Sequence, residues 1–218
     1  MKQQKNLPNI LPIFPLSNFI FFPKTSVPLN IFEPRYLEMI NDSLKKDKLI
    51  GIIQPKNKKN VKNEKKPELY SIGCVGKIIS FDETEDNRIL LVLNGISRFE
   101  ITEEITNDKL YRQCKVDFSK FEHDVIEGKN ESRVSDLNSI FNDLKDFFQK
   151  KGYELDWNEL KKQNLDQAIN SLCMIAPFSL EEKQILLESN EINDRKNKLK
   201  EILNIYSVSN VDTNYSIN

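Results

Sequence analysis

Apolar residues fall along this chain in two rhythms. Up to about residue 118 they come as short runs rich in Ile, Val and Phe, cut by prolines and polar turns. Beyond residue 131 they recur at the three-and-four spacing of a helix. Five prolines, Pro12, Pro15, Pro23, Pro28 and Pro34, punctuate the stretch from Leu11 to Tyr36. Proline cannot donate to a sheet ladder, so it marks strand starts, edges and turns. The pattern predicts strands over 10–15 and 26–31, then a helix from Glu33 to about Lys46. Pro34 suits its first position, and Tyr36, Leu37, Ile40 and Leu44 form its apolar stripe. Further strands are expected over 49–54, 70–81, 89–101 and 111–118, with 82–88 as a polar turn. Asn94-Gly95 is a hairpin signal, but the apolar pattern resumes so soon that a bulge or bend within one strand is the preferred reading.

The second half reads as helices. Leu137, Ile140, Phe141, Leu144, Phe147 and Phe148 make one stripe, ending at Lys150, Lys151 and Gly152, residues suited to a helix C-terminus. Asn164 with Gln167, and Ser179 with Glu182, have the spacing of capping boxes for two more helices. Ile192, Leu199, Ile202, Leu203 and Tyr206 outline a last one. The expected organisation is a β subdomain over 1–120, a charged linker over 121–131, a helical subdomain over 132–207 and a disordered polar tail over 208–218. One segment breaks the β half: Lys56, Lys58, Lys59, Lys62, Lys65 and Lys66 crowd eleven positions against the single acid Glu64. It is expected to be a mobile loop.

Charge changes the picture little. Lys and Arg total 32 and Asp and Glu 33, so no global field favours nucleic acid or an anionic membrane. No secretory leader is visible and no apolar run reaches the roughly 18 residues of a membrane span. Cys74, Cys114 and Cys173 are odd in number and far apart, which argues against a disulfide framework. A cytoplasmic location is expected.

Candidate chemistry is sparse. Gly73-Cys74-Val75-Gly76-Lys77 has the wrong spacing for a phosphate-binding loop and lacks its Ser or Thr. The lone histidine, His123, falls in the expected linker, and the cysteines form no C-x-x-C pair, so neither a triad nor a zinc site is expected. Glu83 with Glu85, and Glu103 with Glu104, read as solvated surface. Cys173 lies on the apolar side of a helix and reads as a buried thiol. No catalytic set, metal or cofactor is expected. Three features suit binding. Strand-like alternation places Phe19 and Phe21 on one side and Phe22 on the other, where one side either joins the core or lines a groove for extended peptide. Glu33, Arg35 and Tyr36 sit at a helix start, as a structural pin or as part of the same peptide site. The lysines of 56–66 are either a solvated loop or an anion-binding loop with strong salt dependence.

Several of these runs fall in a familiar order. Leu11-Pro12-Ile13-Phe14-Pro15-Leu16, then Phe22-Pro23, then Val27-Pro28-Leu29 resemble the opening of the substrate-binding N-terminal domain of Lon proteases. Ile31-Phe32-Glu33-Pro34-Arg35-Tyr36 is similar to the version in free-standing members, which lack the ATPase and protease segments. Pro177-Phe178-Ser179-Leu180, Lys183-Gln184-Ile185-Leu186-Leu187-Glu188, Arg195 and Leu199 resemble the family's helical part, so the likeness runs from Ile10 to Tyr206. It implies an α+β fold, a bent β-barrel of the PUA-like type with one short helix followed by a helical bundle. It also implies a non-enzymatic module that binds unfolded or extended polypeptide, or a dedicated protein partner, in protein quality control. Two alternatives stand beside it: an RNA-binding PUA-like protein, and an accessory subunit acting with a separate ATPase or protease.

Overall fold

The computed structural model describes residues 7–56, 66–125 and 138–209. Lys58, Lys59, Lys62 and Lys65, most of the expected linker, Leu137 and nearly all of the expected tail lie outside the described residues. Two compact units divide the chain, Met1–Gly128 and Lys129–Asn218.

The first unit contains β1 (Ile10–Pro15), β2 (Ser26–Ile31), α1 (Pro34–Leu44), β3 (Leu49–Ile53), β4 (Ile72–Glu83), β5 (Ile89–Ile105) and β6 (Arg112–Asp117). The strand order is β2-β5-β4-β3-β1-β6, and β5 pairs again with β6, closing five strands into a barrel with β2 alongside. Among the described strands only β1 and β3 run parallel. Leu11, Ile13, Leu49, Ile53, Val75, Phe99, Cys114 and Val116 fill one cluster of the core. Helix α1 opens with Pro34 in its first turn and buries Tyr36, Met39, Ile40 and Ser43.

Strand β5 is long because it serves three neighbours. Its first half pairs with β2 and β4, its second half with β4 and β6. The change of partner is accommodated by a bulge: Val75 faces Ser97 and Gly76 faces Gly95, leaving Ile96 as an extra residue. The Asn94-Gly95 signal marks this bend. The Phe22–Thr25 turn packs into it. Gly95 N donates to Thr25 O at 2.8 Å, Lys24 N donates to Gly95 O at 2.8 Å, and Thr25 Oγ1 donates to Phe22 O at 2.7 Å. A Cβ on residue 95 would stand 2.2 Å from the Phe22 carbonyl oxygen.

Two expectations need correction. Residues 17–25 form no strand, so the alternation expected for Phe19, Phe21 and Phe22 is absent; Ile20, Phe21 and Phe22 are buried in succession. The segment placed at the start of a linker is instead part of the first unit. Ser119–Asp124 is a 3-10 turn and Phe121 is 0% exposed. Arg98 holds it. Its Nε and Nη2 donate to the two carboxylate oxygens of Asp124 at 2.9 Å each, and its Nη2 lies 2.9 Å from His123 Nε2. The guanidinium lies 4.2 Å from the centre of the Phe121 ring. A buried guanidinium is tolerated here because planar, bidentate pairing replaces its hydration.

A second tie joins α1 to the approach of β6. Lys109 Nζ and Tyr111 Oη donate to Asp42 Oδ2 at 2.8 and 2.9 Å. The Lys109 bond, then the Tyr111 bond, hold the Asp42 carboxyl below the usual carboxylate range.

The second unit contains α2 (Asn138–Lys150), α3 (Trp157–Lys162), α4 (Leu165–Ile175), α5 (Leu180–Glu188) and α6 (Ile192–Ser209). Helix α2 buries Ile140, Phe141, Leu144, Phe147 and Phe148. It ends as Gly152 takes φ +75°, with Gly152 N donating to Gln149 O and Tyr153 N to Phe148 O. Ser179 and Glu182 form a reciprocal capping box; Asn164 caps α4 through Gln167 N. Helix α3, capped by Asp156, was not anticipated as a separate element. Arg195, buried in α6, donates from Nε to Leu186 O of α5 at 2.8 Å and from Nη1 to Asn170 Oδ1 of α4, so one side chain ties three helices. Burial pushes the Cys173 thiol up to about 12, as expected of a structural cysteine.

Three stability outcomes follow from these contacts. Gly95→Ala forces the Phe22–Thr25 turn or β5 to shift and should cost about 1–3 kcal/mol in chemical denaturation. Asp124→Ala removes the carboxylate paired with a buried guanidinium and should cost about 3–5 kcal/mol, well beyond an ordinary surface change. The Asp42 carboxyl is depressed on folding, so its stabilisation is complete above the usual carboxylate pKa, about 3.9, and is lost as pH falls through the lowered value. Denaturation midpoints at neutral and acidic pH should therefore converge for wild type and Asp42→Asn as pH drops.

Candidate functional site

Beyond the barrel, β2, β5 and β4 extend as three paired strands, and their register fixes what each face carries. Residues directly opposite one another share a face. Asn30, Leu90 and Asp82 form one row, and Pro28, Val92 and Ser80 the next. Phe32 follows β2 and has the Arg88 guanidinium 5.9 Å from its ring centre. The opposite face of the same strands holds Ile31, Ile89, Leu91 and Leu93, all buried. The outer face is different. Phe32 is 62% exposed and Leu90 44% exposed, with Pro28 exposed and Val92 half-buried beside them. These four make an apolar strip along β2 and β5.

The strip runs beside an unpaired edge. Among the described residues β2 pairs only with β5. Gly95 N bonds Thr25 O, so antiparallel alternation turns the Val27 and Leu29 amides toward β5 and positions 26, 28 and 30 outward. Proline at 28 therefore costs the ladder nothing. The outward groups of Ser26 and Asn30, with the Pro28 carbonyl, are the donors and acceptors an added strand would use.

The residues singled out from sequence lie elsewhere. Phe21 is 1% exposed and packs beside Gly76, so it belongs to the core and cannot line a groove. Phe19 is half-buried, its ring 6.3 Å from that of Phe21. Tyr36 is buried, its ring 4.2 Å from Phe14, and burial raises its hydroxyl pKa. Arg35 is exposed; it pairs with Glu33 at 2.7 Å and lies 4.5 Å from the Tyr36 ring centre. Glu33, Arg35 and Tyr36 thus form a local pin at the start of α1. Of the lysine loop, Lys56 pairs with Glu68 at 2.7 Å, and Lys66 is 4.0 Å from Glu104 at the rim of a cleft of about 500 Å³ that Arg112 also lines. Arg112 is engaged there by Glu104 and the Pro67 carbonyl. Among the described residues, no group of His, Cys, Asp and Glu is arranged to hold a metal ion. No helix of the described residues is long and apolar enough to cross a membrane.

The strip carried a signal in the sequence. Ile89-Leu90-Leu91-Val92-Leu93 is apolar without interruption, and on a strand such a run puts large side chains on both faces. The inner face accounts for three of them; Leu90 and Val92 are the surplus.

Comparison with known proteins gives a consistent picture. A family model described as the ATP-dependent protease La (LON) substrate-binding domain matches residues 10–205. The chain is 26% identical over 206 residues to a Lon protease of Dictyoglomus thermophilum and 24% identical over 202 residues to one of Syntrophus aciditrophicus. Each alignment covers 91% of this chain and 25% of the relative, so the chain spans about a quarter of the length of these curated proteins. A Lon N-terminal domain protein from Xanthomonas campestris superposes with a TM-score of 0.62 at 20% identity, over 87% of this chain and 96% of that one. The N-terminal domain of a Mycobacterium avium complex Lon protease gives 0.60 at 15% identity, over 89% and 98%. At these identities the structural likeness is one of fold.

Proposed function

The chain belongs to the Lon substrate-binding domain family, and on that premise we propose that it is a non-catalytic module that captures exposed apolar segments of other polypeptides. The observation that carries this reading is the strip of Pro28, Phe32, Leu90 and Val92 lying against the open edge of β2. An extended segment laid along that edge would gain backbone hydrogen bonds from β2 and bury alternate side chains on the strip. Neither gain depends on a particular sequence in the ligand, which suits a receptor for misfolded or partly unfolded chains in protein quality control. Delivery to an ATPase or protease is then the module's place in that process.

The test is equilibrium binding of a labelled, permanently unfolded protein, read by fluorescence anisotropy, with a labelled single-stranded RNA in parallel. Phe32→Ser and Leu90→Ser should each weaken binding to the unfolded protein roughly tenfold, since each removes a large apolar contact worth about 1.5–3 kcal/mol when fully buried. Both sites are on the surface, so unchanged thermal unfolding should accompany the loss. Wild-type affinity in a folded Phe32→Ser/Leu90→Ser double variant would overturn the reading. So would binding to RNA alone, fading steeply with salt.

A further inference from the structure

The outer face of β2, β5 and β4 has an electrical polarity as well as an apolar strip. At one end, Asp82 shares a row with Leu90 and Asn30. The hairpin that follows adds Glu85 and Asp86 against the single Arg88, while Glu83, opposite Ile89, belongs to the other face. Arg88 is committed to Asp86 at 2.7 Å and to the Phe32 ring, and Thr84 also hydrogen-bonds Asp86. Asp82 and Glu85 are exposed and hold no ion pair among the described residues. At the other end the sign reverses. Lys77 faces Asn94, which faces Ser26, so it lies in the row at the far end of the strip. Rows 90 and 94 are four residues apart, roughly 13 Å at about 3.3 Å per residue.

We infer that the face selects extended apolar segments carrying Lys or Arg at one end only, the end that lies over the β4–β5 hairpin. This deepens the capture reading above and rests on it. The strip and the β2 edge hold the body of the segment. The carboxylates of Asp82 and Glu85, which hold no ion pair among the described residues, then attract a basic flank and repel an acidic one, while Lys77 disfavours a second basic flank at the opposite end. Selectivity of this kind separates apolar segments that all fit the strip equally well.

The experiment uses short synthetic peptides with one apolar, strand-forming core and a flank of lysines, serines or glutamates, placed at the N-terminus, the C-terminus or both. Affinities are measured by anisotropy for the wild-type chain, for Phe32→Ser and for an Asp82→Asn/Glu85→Gln variant. The lysine flank at one terminus should tighten binding about fivefold over serine at low salt, the glutamate flank should weaken it, and lysines at both ends should gain nothing further. The contrast should collapse at about 1 M salt, where the screening length is about 3 Å, and in the neutralised variant. Equal affinities for the three flanks, or a lysine preference that survives neutralisation, overturns the charge selection. The serine-flanked peptide separates that failure from failure of the capture reading: if it binds and Phe32→Ser weakens it, capture stands and only the selectivity falls. If it does not bind, or binds Phe32→Ser equally well, both fall.

Discussion

One strand has to pair with three others, and much of the first unit follows from how it does so. Straight, β5 could accompany β2 and β4 or reach β6, but a strongly twisted strand of this length cannot keep all three in register. The extra residue at Ile96 and the bare Cα of Gly95 let it turn. The turn then fixes its surroundings. The Phe22–Thr25 segment docks into the space a side chain would take, which seats Phe21 and Phe22 in the core and aims β2 along the first half of β5. Past the bend, Arg98 projects from β5 and anchors the 3-10 turn through Asp124 and Phe121. Barrel closure, the position of β2 and the seating of residues 119–124 are therefore consequences of one local irregularity.

The sequence made the elements legible where spacing or stereochemistry set them. Prolines marked β1 and β2 as short strands with an end or an open edge, Pro15 closing β1 and Pro28 turned outward on β2, and Ser179 with Glu182 announced a cap because their separation fixes who can bond whom. It was less informative where the outcome depended on tertiary partners. Phe19-Ile20-Phe21-Phe22 reads as a strand by composition, yet the bend in β5 makes it an irregular plug with three consecutive buried residues. Phe121 and His123 sit among charges and read as linker; Arg98, distant in sequence, covers the buried Phe121 ring and pairs with Asp124 beside it. The candidate face was missed for a related reason. Phe21 and Tyr36 stand out in the sequence as aromatics near prolines, but the core claims them, whereas Phe32, Leu90 and Val92 stand out only once register assigns them a shared face.

The two buried arginines play parallel parts in the two units. Arg98 joins a strand to a following turn, and Arg195 joins three helices through a carbonyl and an amide. Both replace water with several directed bonds, so each specifies one arrangement of its neighbours more sharply than an apolar residue of equal volume would. The rigidity that Arg98 gives β5 matters for the sheet face. A strip on strands whose register is fixed from below presents its side chains at fixed spacing, which lowers the ordering cost of binding.

Pro28 has a wider bearing. An open strand edge beside an apolar strip is what a growing cross-β fibre needs, and a protein that holds such a surface exposed risks adding copies of itself. Proline at an outward position leaves the edge one donor short, so two β2 strands cannot pair over their whole length. A flexible guest can accept the gap with a water; a repeating stack of identical edges would carry it in every layer. The same residue that leaves the β2 edge open thus acts as a brake on self-templating.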